Sequence, residues 1–150
     1  VLVGPTRDGL WQEATIGSVR RSKLPVLSVD PGQAVALSLI SDEPLQTRRG
    51  MVVLSPNDPH PTCQRFTANL LLLCHSSSQI SEGFECTFFI GCVRQTARIE
   101  SLSGGQMPIG RWTQATIRFL ASVEFVREGT PLIFRHGKTR GMGDVTQVLD

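Results

Sequence analysis

Gly137, Lys138 and Thr139 form a Gly-Lys-Thr triplet, the last three positions of a G-x-x-x-x-G-K-[ST] phosphate-binding loop. Such a loop needs a first glycine five positions before the second, and Leu132 stands there. It also needs a helix after the Thr, whose N-terminus holds the anion. Arg140-Gly141-Met142-Gly143-Asp144 follows instead, and each glycine costs a helix about 1 kcal/mol relative to alanine. The triplet therefore reads as part of a glycine-rich connection between two strands, not a nucleotide site. Its charge is a separate signal. Arg135, His136, Lys138 and Arg140 are crowded together, with no acidic residue between Glu128 and Asp144. Two readings fit that cluster: a solvated loop tip that keeps a sheet edge from aggregating, or a contact surface for a phosphate backbone.

No other constellation carries chemistry as clearly. Of Cys63, Cys74, Cys86 and Cys92, none forms a C-x-x-C pair, and three lie in strand-like runs. They read as free thiols of a reducing, cytoplasmic compartment. His60-x-x-Cys63 lacks the second pair that a zinc site needs. No Ser-His-Asp or Cys-His pairing has supporting context. Arg48 and Arg49 read as a solvated turn before a strand, Arg20, Arg21 and Lys23 as a basic turn between strands, and His75 as a histidine at the rim of an apolar strand.

These residues have to be positioned by strands. β-branched and aromatic residues alternate with polar ones in short runs broken by Gly and Pro. The pattern predicts strands over 1–3, 10–20 (Ala14 and Ile16 on one face), 26–29, 34–40 and 51–54. After these, "SPNDPHP" places three prolines within Ser55 to Pro61, which neither sheet nor helix accommodates. A boundary is expected there, separating 1–56 from 57–150. Strands resume over 66–74, 84–90, 93–102, 112–120, 132–135 and 145–149, with loops at 76–83 and 104–110. Helical periodicity is nearly absent, so the fold class is all-β, a sandwich or barrel.

The composition sets wide limits. Hydrophobic residues make up 40% of 150, enough for a core, and the net charge of +2 is too small to announce a nucleic-acid binder in bulk. The longest apolar run, Leu70 to Cys74, is far short of a membrane span, so no membrane partner is expected. The chain opens at Val1 inside a strand-like run, and the first part holds few strands for a closed barrel. It reads as a fragment of a longer protein.

"GQAVALSL", "RRGMVVLSP", "GCVRQTARI" and "LIFRHGKTRGMGDV", taken in order, resemble the C-terminal domains of the GTP-binding protein 1 and GTP-binding protein 2 family, relatives of elongation factor Tu. The resemblance covers essentially the whole chain. It implies two small β-barrels of the kind that follow the GTPase domain in those proteins. Residues 1–56 would be the later part of the second domain, an incomplete barrel, and 57–150 a complete third domain. GTP and Mg would be held in a GTPase domain outside this chain. The implied role is non-catalytic: gripping tRNA or other RNA, docking on the protein's own GTPase domain, and working near the ribosome. The family's RNA contacts map onto Gly91 through Thr96, including Arg94 and Gln95, and onto Arg135, His136 and Gly137. Lys138 and Arg140 join them by charge. His136 departs from the pattern, where the family often has Glu. A protein-interaction module relaying nucleotide state to a partner, without RNA, is the alternative.

Overall fold

The computed structural model describes residues Val1 to Asp150, which form fourteen strands and no helix. The first six are short: β1 (Leu2–Gly4), β2 (Gln12–Glu13), β3 (Thr15–Arg21), β4 (Leu24–Val26), β5 (Ala36–Ile40) and β6 (Val52–Leu54). They make two three-stranded sheets, β2-β1-β6 and β4-β3-β5. The run expected as one strand over 10–20 is divided at Ala14. There the chain leaves one sheet for the other, and the Ala14 amide donates to the Val1 carbonyl at 2.9 Å. Ala14 is buried, but Ile16 is exposed, because a bulge between Ile16 and Ser18 turns the strand. The strand expected over 26–29 lies earlier, at β4.

The remaining strands are β7 (Arg65–Cys74), β8 (Gln79–Ser81), β9 (Glu85–Ile90), β10 (Val93–Leu102), β11 (Gln106–Pro108), β12 (Trp112–Phe119), β13 (Pro131–His136) and β14 (Thr139–Val148). Six of them close a barrel in the order β10-β12-β7-β14-β13-β9, so those six leave no free edge between them. β8 and β11 pair only with each other, inside the two segments expected to be loops. Each has three residues, too few for a visible alternation.

The core belongs to the barrel. Its 21 buried apolar residues run from Cys63 to Val145, and Phe66, Phe88, Phe119 and Phe134 are fully buried among them. Phe66 meets Phe88 edge-on with ring centroids 6.2 Å apart, and Phe88 lies 5.5 Å from Phe134. Each buried phenyl group contributes about 1.5–3 kcal/mol of transfer free energy. The two small sheets bury far less, chiefly Leu2, Val3 and Ala14.

The glycine-rich stretch after Thr139 is not a loop, as the sequence suggested, but strand. β13 and β14 are joined by Gly137 and Lys138 alone, with Gly137 at φ +56°. Glycine at the first of two turn residues suits the right-handed twist of the hairpin. Gly141 and Gly143 are needed for close packing. A Cβ on Gly143 would overlap the Asn69 carbonyl of β7, and one on Gly141 would overlap the Phe134 ring and lie 2.8 Å from the Leu71 carbonyl oxygen.

Candidate nucleic-acid interface

Barrel closure decides which residues face outward. Along β14, buried Thr139, Gly141, Gly143 and Val145 alternate with exposed Arg140, Met142 and Asp144. Along β13, buried Leu132 and Phe134 alternate with exposed Ile133 and Arg135. Along β10, Val93, Gln95 and Ala97 point inward, while Arg94, Thr96 and Arg98 point out. Because β10, β9, β13 and β14 are consecutive in the barrel, Arg94, Thr96, Arg135 and Arg140 share one outer face.

Register sets the distances within that face. Arg135 lies directly opposite Arg140, and it also pairs with Thr87, which pairs with Thr96. Arg94 is one row along, opposite Phe89, and its guanidinium carbon sits 5.6 Å from that ring's centroid. Lys138 extends the basic surface at the turn. None of Arg94, Arg135, Lys138 and Arg140 has a carboxylate partner within 4.0 Å, whereas the neighbouring Arg98 is paired with Glu85 at 2.6 Å. His136 packs edge-on to Phe84 at 5.7 Å, and His75 flanks the same ring at 5.6 Å. His75 Nδ1 is 2.6 Å from the Thr139 hydroxyl, which ties the end of β7 to the start of β14.

Two expected residues lie elsewhere. Gly91 and Cys92 form the β9–β10 turn, and Ile90 pairs with Leu132 while Arg135 pairs with Thr87. The Gly91 turn is therefore at the opposite end of the barrel from Gly137, roughly 20 Å away for six residues of strand rise. Gln95 is buried and has its amide in full use. Its Nε2 donates to Glu124 at 2.6 Å and to the Ser122 carbonyl at 3.1 Å, and its Oε1 accepts from the Ala121 and Ser122 amides. No part of that side chain is left for an RNA.

Arg48 is the residue the sequence reading missed. It is not a solvated turn. Nη1 reaches both Glu124 oxygens at 3.0 Å, and Nη2 donates to the Pro5 and Val123 carbonyls at 3.0 Å. Glu124 is thus bound by Arg48 from the first part of the chain and by Gln95 from the barrel. Nothing local in "QTRRG" signals this, because the partner is 76 positions away.

The Gly-Lys-Thr triplet does not fit a nucleoside triphosphate. It occupies a strand–strand turn, no helix N-terminus follows, and the Thr139 hydroxyl is engaged by His75. No three His, Cys, Asp or Glu side chains are grouped to hold a metal ion.

Fold and face together define an all-β barrel module that presents an unpaired basic surface at its closing hairpin. No family model matches the chain. It is 35% identical over 149 residues to GTP-binding protein 2 of Mus musculus and of Homo sapiens, and 30% identical over 149 residues to GTP-binding protein 1 of Xenopus laevis. Each comparison covers 99% of this chain but only 25% or 23% of the relative, so the chain spans about a quarter of their length. Over that span the chain is similar to one segment of GTP-binding protein 1 and GTP-binding protein 2.

Proposed function

We propose that this chain is a non-catalytic, C-terminal barrel segment of an elongation factor Tu-like GTP-binding protein of the cytoplasm, and that it grips the phosphate backbone of an RNA, tRNA first among them. The observation that carries the reading is the facing pair Arg135 and Arg140, with Lys138 at the turn beside them and no carboxylate on any of the three. Like charges directly opposite on a sheet are destabilising, and a phosphate between them relieves the repulsion. Planar guanidinium groups bind phosphate oxygens in a bidentate manner. Arg94 and the Thr96 hydroxyl extend the contact along the same face. Such contacts position an RNA without reading its sequence. Docking on the GTPase domain of the same protein, and contact with the ribosome, belong to the same proposal.

The test is fluorescence anisotropy with labelled tRNA at several salt concentrations. Binding should weaken steeply with salt. Lys138→Ala/Arg140→Ala should lower the slope of log K against log salt by about 1.5, from roughly 0.7–0.9 per phosphate contact. Equal salt slopes for the chain and the double variant would remove the hairpin from the site.

A further inference from the structure

Away from the barrel, the hairpin of β3 and β4 carries a signal of its own. Three hydroxyl groups have a Lys or Arg within two positions on each side: those of Ser22, Thr96 and Thr139. Thr139 is 3% exposed and its hydroxyl is engaged by His75. Thr96 lies in β10, which is paired on both sides within the closed barrel. Ser22 is free of both constraints. With Lys23 it forms the two-residue turn between β3 and β4, and Arg20 and Arg21 stand immediately before it. None of Arg20, Arg21 and Lys23 has a carboxylate within 4.0 Å. Three unpaired cations therefore surround one exposed serine.

The turn is strained and thinly supported. Ser22 has φ +49° and Lys23 φ +69°, and no other residue except glycine has a positive φ. A two-residue turn of this kind favours Asn-Gly, because a Cβ crowds the backbone in that conformation. β4 is an edge strand that pairs only with β3, over three residues, and Pro25 among them brings no amide donor. Leu24 is 69% exposed, and no residue from 20 to 36 is buried. Segments with few buried contacts open locally at low cost, and opening this one also releases the strain of the turn. The stretch around Ser22 can leave its sheet and enter an enzyme's cleft in extended form, whereas presenting Thr96 would require the barrel to open.

We infer that Ser22 is a phosphate-acceptor site for an arginine-directed serine kinase, an enzyme whose cleft reads cations beside the acceptor with its own carboxylates. The Ser22 Oγ attacks the γ-phosphorus of ATP, the bond to the β–γ bridging oxygen breaks, ADP leaves with that electron pair, and the hydroxyl proton passes to the kinase's catalytic base. The product carries a charge of about −1.5 to −2 where Arg20, Arg21 and Lys23 had left an uncompensated positive tip. Phosphate oxygens accept charge-assisted hydrogen bonds from guanidinium groups, so the modified turn is tied to its flanking arginines. This inference does not depend on the RNA reading, which uses the barrel alone.

The test is incubation of the chain with ATP and, in separate reactions, cAMP-dependent protein kinase, protein kinase C and an acid-directed casein kinase, read by intact-mass and tandem mass spectrometry. At least one of the two arginine-directed kinases should add a single phosphate at Ser22, and the casein kinase none there. Ser22→Ala should abolish the addition. Arg20→Ala/Arg21→Ala, which keeps the hydroxyl, should lower kcat/KM for the transfer at least about tenfold. Lys23→Ala, outside either strand, should also lower it and serves if the double variant proves poorly folded by circular dichroism. In the phosphorylated chain, hydrogen exchange at the Leu24 and Val26 amides should slow by about twofold or more. No phosphate from either arginine-directed kinase, phosphate mapped to Ser18 or Thr96 in place of Ser22, or rates untouched by the cation variants would each overturn the inference. So would modification of Ser22 by the casein kinase alone, or faster exchange of β4 once the phosphate is attached. Loss of tRNA binding in Lys138→Ala/Arg140→Ala concerns only the RNA reading.

Discussion

Arg135 and Arg140 face each other across the closing hairpin of the barrel, both exposed and neither paired with a carboxylate. Opposite charges in a cross-strand pair contribute roughly 0.2–1 kcal/mol, and like charges reverse the sign. Arg140→Glu should therefore raise stability by about 0.5 kcal/mol or more while weakening tRNA binding. Urea unfolding and anisotropy on one preparation check both signs. Destabilisation by Arg140→Glu would show that the facing pair is not under repulsive load.

Arg48 and Glu124 form the contact with the largest expected stability effect. Glu124 is 3% exposed. Its removal would leave the guanidinium of Arg48 and the amide of Gln95 without their acceptor. Glu124→Ala should cost about 3–5 kcal/mol, the usual penalty for breaking a buried ion pair from one side. Arg48→Met/Glu124→Leu removes both charges and should recover much of that loss. A double-mutant cycle by denaturant unfolding reads the coupling; additive single effects would contradict it.

The glycines of β14 differ in what they do. Gly143→Ala forces a methyl group into the Asn69 carbonyl, which is backbone and cannot swing away. It should destabilise the barrel by about 2 kcal/mol or more, as overpacking does. Gly137→Ala meets nothing within 4 Å and pays only for its φ of +56°, about 1 kcal/mol. The rank order of the two midpoints in urea is the decisive reading.

The cysteines should divide by burial. Burial, with the nearby Asp150 and Glu124 charges, pushes the Cys63 thiol up to about 12, and burial pushes Cys86 up to about 12. Burial also raises Cys92, while Cys74 is exposed at the end of β7. Thiolate is the reactive form, so mass-resolved alkylation at pH 8 should label Cys74 first, Cys92 more slowly, and Cys63 and Cys86 only on unfolding. The linked stability has a definite sign. In the unfolded chain these two thiols ionise near 9, but in the fold they stay protonated to about 12. Their contribution is complete below pH 9 and is lost as pH rises from 9 towards 12, so stability should fall over that window.

By itself, the sequence determined the fold class, because alternation with period two is a local property and survives without knowledge of any partner. Leu132, Phe134, Val145, Phe66, Ala68 and Leu70 declare their buried face in this way. It also determined that Gly137-Lys138-Thr139 is no phosphate loop, because the missing first glycine and the glycines that follow exclude the required turn and helix. Tertiary structure decided the rest. Only the register of β14 on β7 shows that Gly141 and Gly143 are strand residues held by close backbone approach. Only closure of the barrel sends Gln95 inward and separates the Gly91 turn from the hairpin. Arg48 reads as solvated until Glu124, 76 residues on, is brought to it. The outer row Thr96, Thr87, Arg135 and Arg140 exists in no stretch of sequence, since each strand contributes one side chain and cross-strand neighbours are set by pairing alone.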